Sequence, residues 1–195
     1  MELCESETLK KLMRLFAGET MARARYEYAA SEAKNQGVPI LERLFLYTAG
    51  QEREHGLVLW NILKSAGVGQ VEAPGTYPVD LGNDLASLLT QASEYEYKEA
   101  ETVYPAFADL AQEEGFPQIA DRLRALGEIE RTHAERFSRF AALWEQGTLF
   151  KGGGNTRWIC LNCGHVLSGA EPPASCPVCS HELGYFVRLE SSPYE

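Results

Sequence analysis

Two things are scarce in this chain of 195 residues: long apolar runs and cationic side chains. No apolar stretch approaches the roughly 20 residues of a membrane-spanning helix. Met1 to Thr20 carries scattered charges and no apolar h-region, so neither a span nor a signal peptide is expected. Lysine and arginine number 18 against 28 acidic residues, a net charge of −10, which argues against a nucleic-acid or anionic-membrane surface. Cysteine is nearly missing from most of the chain: Cys4 stands alone, and Cys160, Cys163, Cys176 and Cys179 cluster near the far end. Paired Cys-x-x-Cys motifs in a chain without secretory features read as a metal clamp rather than a disulfide framework, and Cys4 as a bystander thiol. A soluble, cytoplasmic protein is expected.

What is present begins with a composition of 45% hydrophobic and 24% charged residues, enough to bury a core. Residues 1–146 read as four long helices. Helix A runs from about Ser6 to Gln36 and is stopped by Gly37; helix B runs from about Pro39 to Ala66. Helix C starts near Asn83 or Asp84, both capable N-caps, and ends before Gly115; helix D runs from Pro117 to before Gly147. Pro105 predicts a kink inside helix C. Connections A–B and C–D are short, whereas Gly67 to Gly82 is a long Gly- and Pro-bearing stretch. Two hairpins joined by one long crossover are ferritin-like connectivity. Residues 147–155, with three consecutive glycines, form a linker. Residues 156–195 make a second domain, too small to stand on an apolar core and in need of a metal.

Acidic residues interrupt the apolar stripes of all four helices. Helix C reads Leu85, Leu88, Ala92, then Glu96 and Glu99, then Val103 and Phe107. Helix D reads Ile119, Leu123, Leu126, then Glu130 and His133, then Phe137, Phe140 and Trp144. Helix B places Glu52 and His55 between Leu41, Leu44, Thr48 and Leu59, Ile62. Helix A places Glu19 between Leu12, Leu15, Phe16 and Tyr26. Five carboxylates and two histidines at one depth are tolerable only beside compensating cations. Glu-x-x-His puts both side chains on one helix face, one turn apart, and oxygen ligands with a little imidazole suit iron or manganese. Two such motifs, with one or two glutamates from each of the other helices, are the di-metal carboxylate pattern of helical bundles. Glu27, Glu32, Glu54, Glu94, Glu101, Glu128 and Glu135 lie off the stripes and are expected at the surface. Charge balance adds a hypothesis: a spare glutamate facing a neutral histidine across one iron lets that ion change partners between redox states.

Cys160-Leu161-Asn162-Cys163 and Cys176-Pro177-Val178-Cys179 supply four thiolates to one tetrahedron. The thiolates alone favour zinc slightly; a redox bundle on the same chain shifts the preference to iron, with zinc as the alternative. Trp158, Tyr185 and Phe186 either shield the sulfurs or simply form this domain's core. His165 and His181 are expected to stay outside the ligand set.

The chain resembles the rubrerythrins over essentially its whole length. The match rests on Phe16-Ala17-Gly18-Glu19-Thr20 with Ala22, Arg23 and Tyr26, and on Glu52-Arg53-Glu54-His55. It continues through Glu96-x-x-Glu99 with Tyr104-Pro105-x-Phe107-Ala108, Glu130-x-x-His133 with Arg136-Phe137, and Trp158-x-Cys160-x-x-Cys163-Gly164 with Cys176-Pro177-x-Cys179. The resemblance implies a ferritin-like bundle plus a rubredoxin-like domain, acting as a non-haem peroxidase that reduces hydrogen peroxide to water. It implies two irons bridged by Glu52 and Glu130. Glu19 would be terminal on one, whose other ligand alternates between Glu99 when oxidised and His55 when reduced; Glu96 and His133 would hold the second. Tyr26 and Tyr104 match tyrosines near the irons, where they hydrogen-bond ligand carboxylates or fill core. A homodimer is implied, with electrons passing from a third iron on the four cysteines to the neighbouring subunit's di-iron site. The donor is a rubredoxin or an NAD(P)H-linked reductase. The segment Ser93 to Thr102 and the crossover look less like typical members. The competing functions are a ferroxidase or iron-handling protein and a non-enzymatic zinc-ribbon adaptor.

Overall fold

The structure is a computed structural model that describes residues 2–80, 82 and 84–192. Helices α1 (Glu7–Asn35) and α2 (Pro39–Ser65) form one antiparallel hairpin. The second consists of α3 (Leu85–Lys98), a π-helical turn (Glu99–Val103) and α4 (Tyr104–Glu113), followed by α5 (Pro117–Glu145). Each end has a local cause. Ser6 accepts from the Leu9 amide at 3.1 Å, and Asp84 accepts from the Ser87 amide at 3.0 Å, satisfying first-turn donors. Asn83, the other expected cap, lies outside the described residues. Pro39 and Pro117 occupy first turns, where no amide partner is lost. The 67–80 segment runs between the two hairpins and carries no regular secondary structure.

Helix C departs from its sequence reading. The expected kink at Pro105 is a π turn immediately before it, closed by the Tyr104 amide donating to the Glu99 carbonyl. One extra residue in that turn rotates the downstream helix. The buried face therefore runs Leu85, Leu89, Ala92, Glu96, Ala100, Tyr104 and Ala108, whereas Leu88, Val103 and Phe107 are only partly buried. A straight 3.6-residue period misassigns Val103 and Phe107 because it takes no account of the inserted residue, whereas upstream of the turn Leu89 takes the inward position and leaves its neighbour Leu88 at the edge. Ile119, Trp144 and Phe16 also sit at the margins of their stripes.

The bundle core is divided into two apolar clusters. One gathers Tyr26, Phe45, Leu89, Phe137 and Phe140; the other gathers Leu12, Leu59, Ala108, Leu123 and Tyr104. The ionisable residues of the stripes lie between them in every helix. Each apolar half is closely packed, and Gly127 lets α5 approach Tyr104 so closely that a Cβ there would lie 3.0 Å from the tyrosine's own Cβ.

Beyond α5, strands β1 (Arg157–Cys160), β2 (Val166–Ser168) and β3 (Phe186–Arg188) form an antiparallel sheet in the order β2-β1-β3. Trp158 and Phe186 are fully buried with Cys160 and Cys176, so they are core and thiol cover at once. This unit is seated against the α1–α2 turn. Gly184 lies so near it that a Cβ would meet Pro39 Cδ at 2.6 Å, Arg43 donates to the Leu161 carbonyl, and Val187 joins the apolar cluster of Phe137 and Phe140. No helix among the described residues is long and apolar enough to cross a membrane.

Candidate metal centres

Glu19, Glu52, His55, Glu96, Glu130 and His133 arrive in the gap between the two apolar clusters and are all 5% exposed or less. They form two four-residue groups: Glu19, Glu52, His55 and Glu130, and Glu52, Glu96, Glu130 and His133. The groups mirror each other. His55 Nδ1 lies 2.9 Å from Glu130 Oε1, 3.1 Å from Glu52 Oε2 and 3.7 Å from Glu19 Oε2. His133 Nδ1 lies 2.8 Å from Glu52 Oε1, 3.0 Å from Glu130 Oε2 and 3.7 Å from Glu96 Oε2. Glu52 and Glu130 each turn one oxygen to one histidine and the other oxygen to its counterpart. The Glu-x-x-His spacing produces this, because each pair sits one turn apart on facing helices.

The donor set is suited to cations. Glu19 Oε2, Glu52 Oε1, Glu96 Oε2, both oxygens of Glu130 and His133 Nδ1 are buried without a hydrogen-bond partner. One orphaned buried polar atom typically costs about 1–3 kcal/mol. Six such atoms converging on one layer fit a site that takes up two divalent ions. In the metal-free protein the groups crowd one another electrostatically. Burial drives Glu19 and Glu96 well above the usual carboxylate range, with neighbouring carboxylates adding to it. Burial also opposes charge on His133, but attraction to the adjacent carboxylates of Glu130, Glu52 and Glu96 outweighs it and holds the imidazole up to about 11. His55 is raised likewise. In Glu52, the adjacent imidazoles of His133 and His55 overcome the upward push of burial and lower the carboxyl.

Tyr26 donates to Glu96 Oε1, and Tyr104 donates to Glu19 Oε1. Both phenols therefore hold ligand carboxylates and, at 2% exposure or less, also fill core. Glu99 is set apart. It belongs to neither four-residue group and is half-buried at the start of the π turn. Burial and the charges of Glu130 and Glu52 push its carboxyl up to about 8. Of the seven ionisable side chains singled out in the bundle, the structure thus brings six together and leaves Glu99 beside them.

The next layer was not read from sequence. Arg136 donates to Gln51 Oε1 at 3.0 Å and to Thr48 Oγ1 at 3.1 Å. That fixes the oxygen of Gln51 toward His133 Nε2, 3.1 Å away, so Nε2 keeps its proton and Nδ1 is the nitrogen left to offer a lone pair to a bound cation once its own proton is displaced. The sequence signal was modest: a polar side chain adjoining Glu52, and an arginine one turn beyond His133 among apolar neighbours.

The four cysteines form the third group. Cys160 and Cys179 sulfurs are 3.7 Å apart, and Cys163 and Cys176 sulfurs 3.6 Å. These are close to the edges, about 3.8 Å, of a tetrahedron with metal–sulfur bonds of about 2.3 Å. The two knuckles repeat one geometry. Gly164 (φ 76°) and Ser180 (φ 61°) follow the second cysteine of each pair in the left-handed region, donating to the Cys160 and Cys176 carbonyls at 2.8 and 2.9 Å. The His181 amide lowers the Cys179 thiol to about 6. His165 and His181 stand outside the group; His181 Nδ1 is 3.1 Å from the Cys179 carbonyl.

A four-helix bundle with one crossover, a carboxylate-bridged site between its core halves and an appended four-cysteine knuckle pair defines a ferritin-like di-metal protein with a rubredoxin-like domain. Comparison with known proteins narrows the class. Residues 10–141 match the Rubrerythrin family, and residues 158–187 match the rubrerythrin rubredoxin-like domain. A rubrerythrin of Clostridium perfringens is 41% identical over 182 residues, covering 93% of each chain. A rubrerythrin of Nitratidesulfovibrio vulgaris is 35% identical over 94% of this chain and 95% of its own. A solved nigerythrin in a mixed-valence state superposes with a TM-score of 0.63 at 26% identity, covering 94% of this chain and 90% of its own. This chain belongs to the rubrerythrin family, and its Glu/His cluster is the family's di-iron carboxylate site.

Proposed function

We propose that the chain is a non-haem peroxidase that reduces hydrogen peroxide to two waters, taking two electrons and two protons per turnover. The observation that carries this reading is the paired geometry of Glu52 and Glu130, each turning one oxygen to each group, in a chain that also holds a four-cysteine site. When bound, two irons cycling between ferrous and ferric supply both electrons peroxide requires, and one iron on four thiolates supplies single electrons to replace them. Glu52 and Glu130 would be shared by the two ions, with Glu19 and His55 holding one and Glu96 and His133 the other. Glu99 and His55 would serve as alternative ligands to one ion, His55 lying within the four-residue group and Glu99 beside it. Tyr26 and Tyr104 hold Glu96 and Glu19 in orientation through their hydroxyl groups. The apolar clusters on either side exclude bulk water from the layer between them.

We further assign a homodimer in the cytoplasm, with a rubredoxin or NAD(P)H-linked reductase as donor to the cysteine-bound iron. Anaerobic stopped-flow mixing tests the activity: peroxide is expected to oxidise the reduced site much faster than dioxygen does. Faster reaction with dioxygen would instead make the protein a ferroxidase. Metal analysis that finds zinc on the cysteines, with no electron transfer to the bundle, would favour the adaptor reading.

A further inference from the structure

Outside the di-iron layer, on the far side of Glu99, lies a cavity of about 210 Å³. Its inner wall is Glu99, Gly18, Ala22 and Tyr26, and its outer wall is Thr76, Tyr77 and Pro78 of the crossover. The space is several times the roughly 30 Å³ share of one water in the liquid. Three features mark it as built rather than incidental. Gly18 leaves the Glu99 side open: a Cβ there would sit 3.7 Å from Glu99 Oε1, and any longer side chain would project into the space. The outer wall is tied down by Arg25, which donates to both oxygens of Asp80 at 2.7 and 2.9 Å, with each side chain under one-fifth exposed. Arg25 also stacks 4.6 Å over Tyr95, so its own position is fixed. The lining includes the cations Arg14, Arg25 and Lys98 in a chain of net charge −10, and Arg14 Nε is buried without a hydrogen-bond partner.

We propose that this cavity is the passage by which peroxide reaches the di-iron site, with Gly18 setting its bore and the Arg25–Asp80 pair holding its outer wall, so that these residues restrict the protein to small hydroperoxides. The proposal rests on the peroxidase reading. Arg25 and Asp80 stand outside both four-residue groups; Arg25 rests on the Tyr26 ring, and the pair acts by keeping residues 76–78 in place across the mouth. Hydrogen peroxide and small anions pass, and a branched alkyl hydroperoxide is held back by Tyr77 against Gly18 and Val103.

The iron-loaded full chain and its Gly18→Leu, Asp80→Ala and Asp80→Asn variants test this. Azide binding to the oxidised site, followed by its visible absorption, reports access without turnover. Oxidation of the reduced site by hydrogen peroxide and by tert-butyl hydroperoxide reports selectivity. Gly18→Leu is expected to slow azide association and hydrogen peroxide oxidation by about tenfold, the scale on which added bulk discriminates in a pocket. Both Asp80 variants are expected to leave hydrogen peroxide oxidation within about twofold of wild type and to speed the tert-butyl reaction by about tenfold. Unchanged azide rates in Gly18→Leu, with wild-type iron content and helicity, would overturn the passage. An unchanged ratio of the two peroxide rates in both Asp80 variants would overturn the size restriction. If wild-type protein is not oxidised preferentially by peroxide, the peroxidase reading falls, while the azide rates still decide whether this is the way in.

Discussion

At the scale of single residues, the site is set by what holds the ligands as much as by the ligands. Gln51 is the clearest case, since it fixes which nitrogen of His133 faces the cluster and is itself held by Arg136. Gln51→Leu keeps the volume and removes the acceptor. Loss of such a partner typically weakens metal binding about 10- to 100-fold. Iron retention against a graded chelator is expected to fall by that factor with helicity unchanged, and wild-type retention would show that Gln51 is not positioning His133. Protonation gives a second expectation, for the metal-free protein. Glu99, raised by burial to about 8, holds a proton in the folded chain that the unfolded chain releases near its ordinary 4.5. His133, held up to about 11 against its ordinary 6.5, does the same. In both windows the folded state binds more protons, so stability falls as pH rises through them. The melting temperature without metal is expected to decline steadily from pH 6.5 toward 11. Bound iron displaces those protons, so the loaded protein should lack this decline. A metal-free melting temperature that rises over that range would contradict the buried-cluster electrostatics.

Among elements, the π turn and the α4–α5 contact decide how the second hairpin presents its residues. The turn inserts one residue between Glu96 and Tyr104, so both face inward while Glu99 is carried to the margin. Contact at Gly127 then seats Tyr104 where its hydroxyl reaches Glu19. Gly127→Ala should be favourable for an isolated helix by about 1 kcal/mol. In the bundle the new methyl meets Tyr104 Cβ at 3.0 Å, a backbone-anchored atom that moves only if the helix moves. Overpacking of this kind typically costs about 1–3 kcal/mol, so a net loss of stability is expected in thermal or denaturant unfolding, together with weaker iron binding. An unchanged or raised midpoint would mean that α4 has room the structure does not show. Helix existence, the Pro-led starts of α2 and α5 and the stripes of α2 and α5 were largely legible, because a 3.6-residue period persists over many turns. The lower half of helix C was not. Val103 and Phe107 fit the period as well as Ala100 and Tyr104 do, until the π turn is known.

Taken whole, the molecule is two metal-binding units in contact, and they differ in how much apolar core each has besides its site. The bundle has apolar clusters on both sides of its site; the four-cysteine unit has Trp158, Phe186 and two of the cysteines themselves as its core. Stripping metal is therefore expected to unfold the small unit first. Helical circular dichroism should largely persist while fluorescence of Trp158, fully buried when folded, shifts to the red. Loss of both signals together would mean that the contact through Gly184, Arg43 and Val187 couples the two units into one folding transition.

Residue identity at fixed spacing determined the chemistry of this protein. Two Glu-x-x-His pairs, Glu19, Glu96 and two Cys-x-x-Cys pairs were recognisable without coordinates, since buried charge at a helical period has few explanations other than bound cations. Only the tertiary structure decided which oxygen of Glu52 and Glu130 faces which histidine, that Glu99 stands apart, that Gln51 and Arg136 orient His133, and that residues 76–78 cover a cavity beside Glu99. Those relations join residues tens of positions apart, and a repeating pattern along one helix contains no term for the rotation of its neighbour.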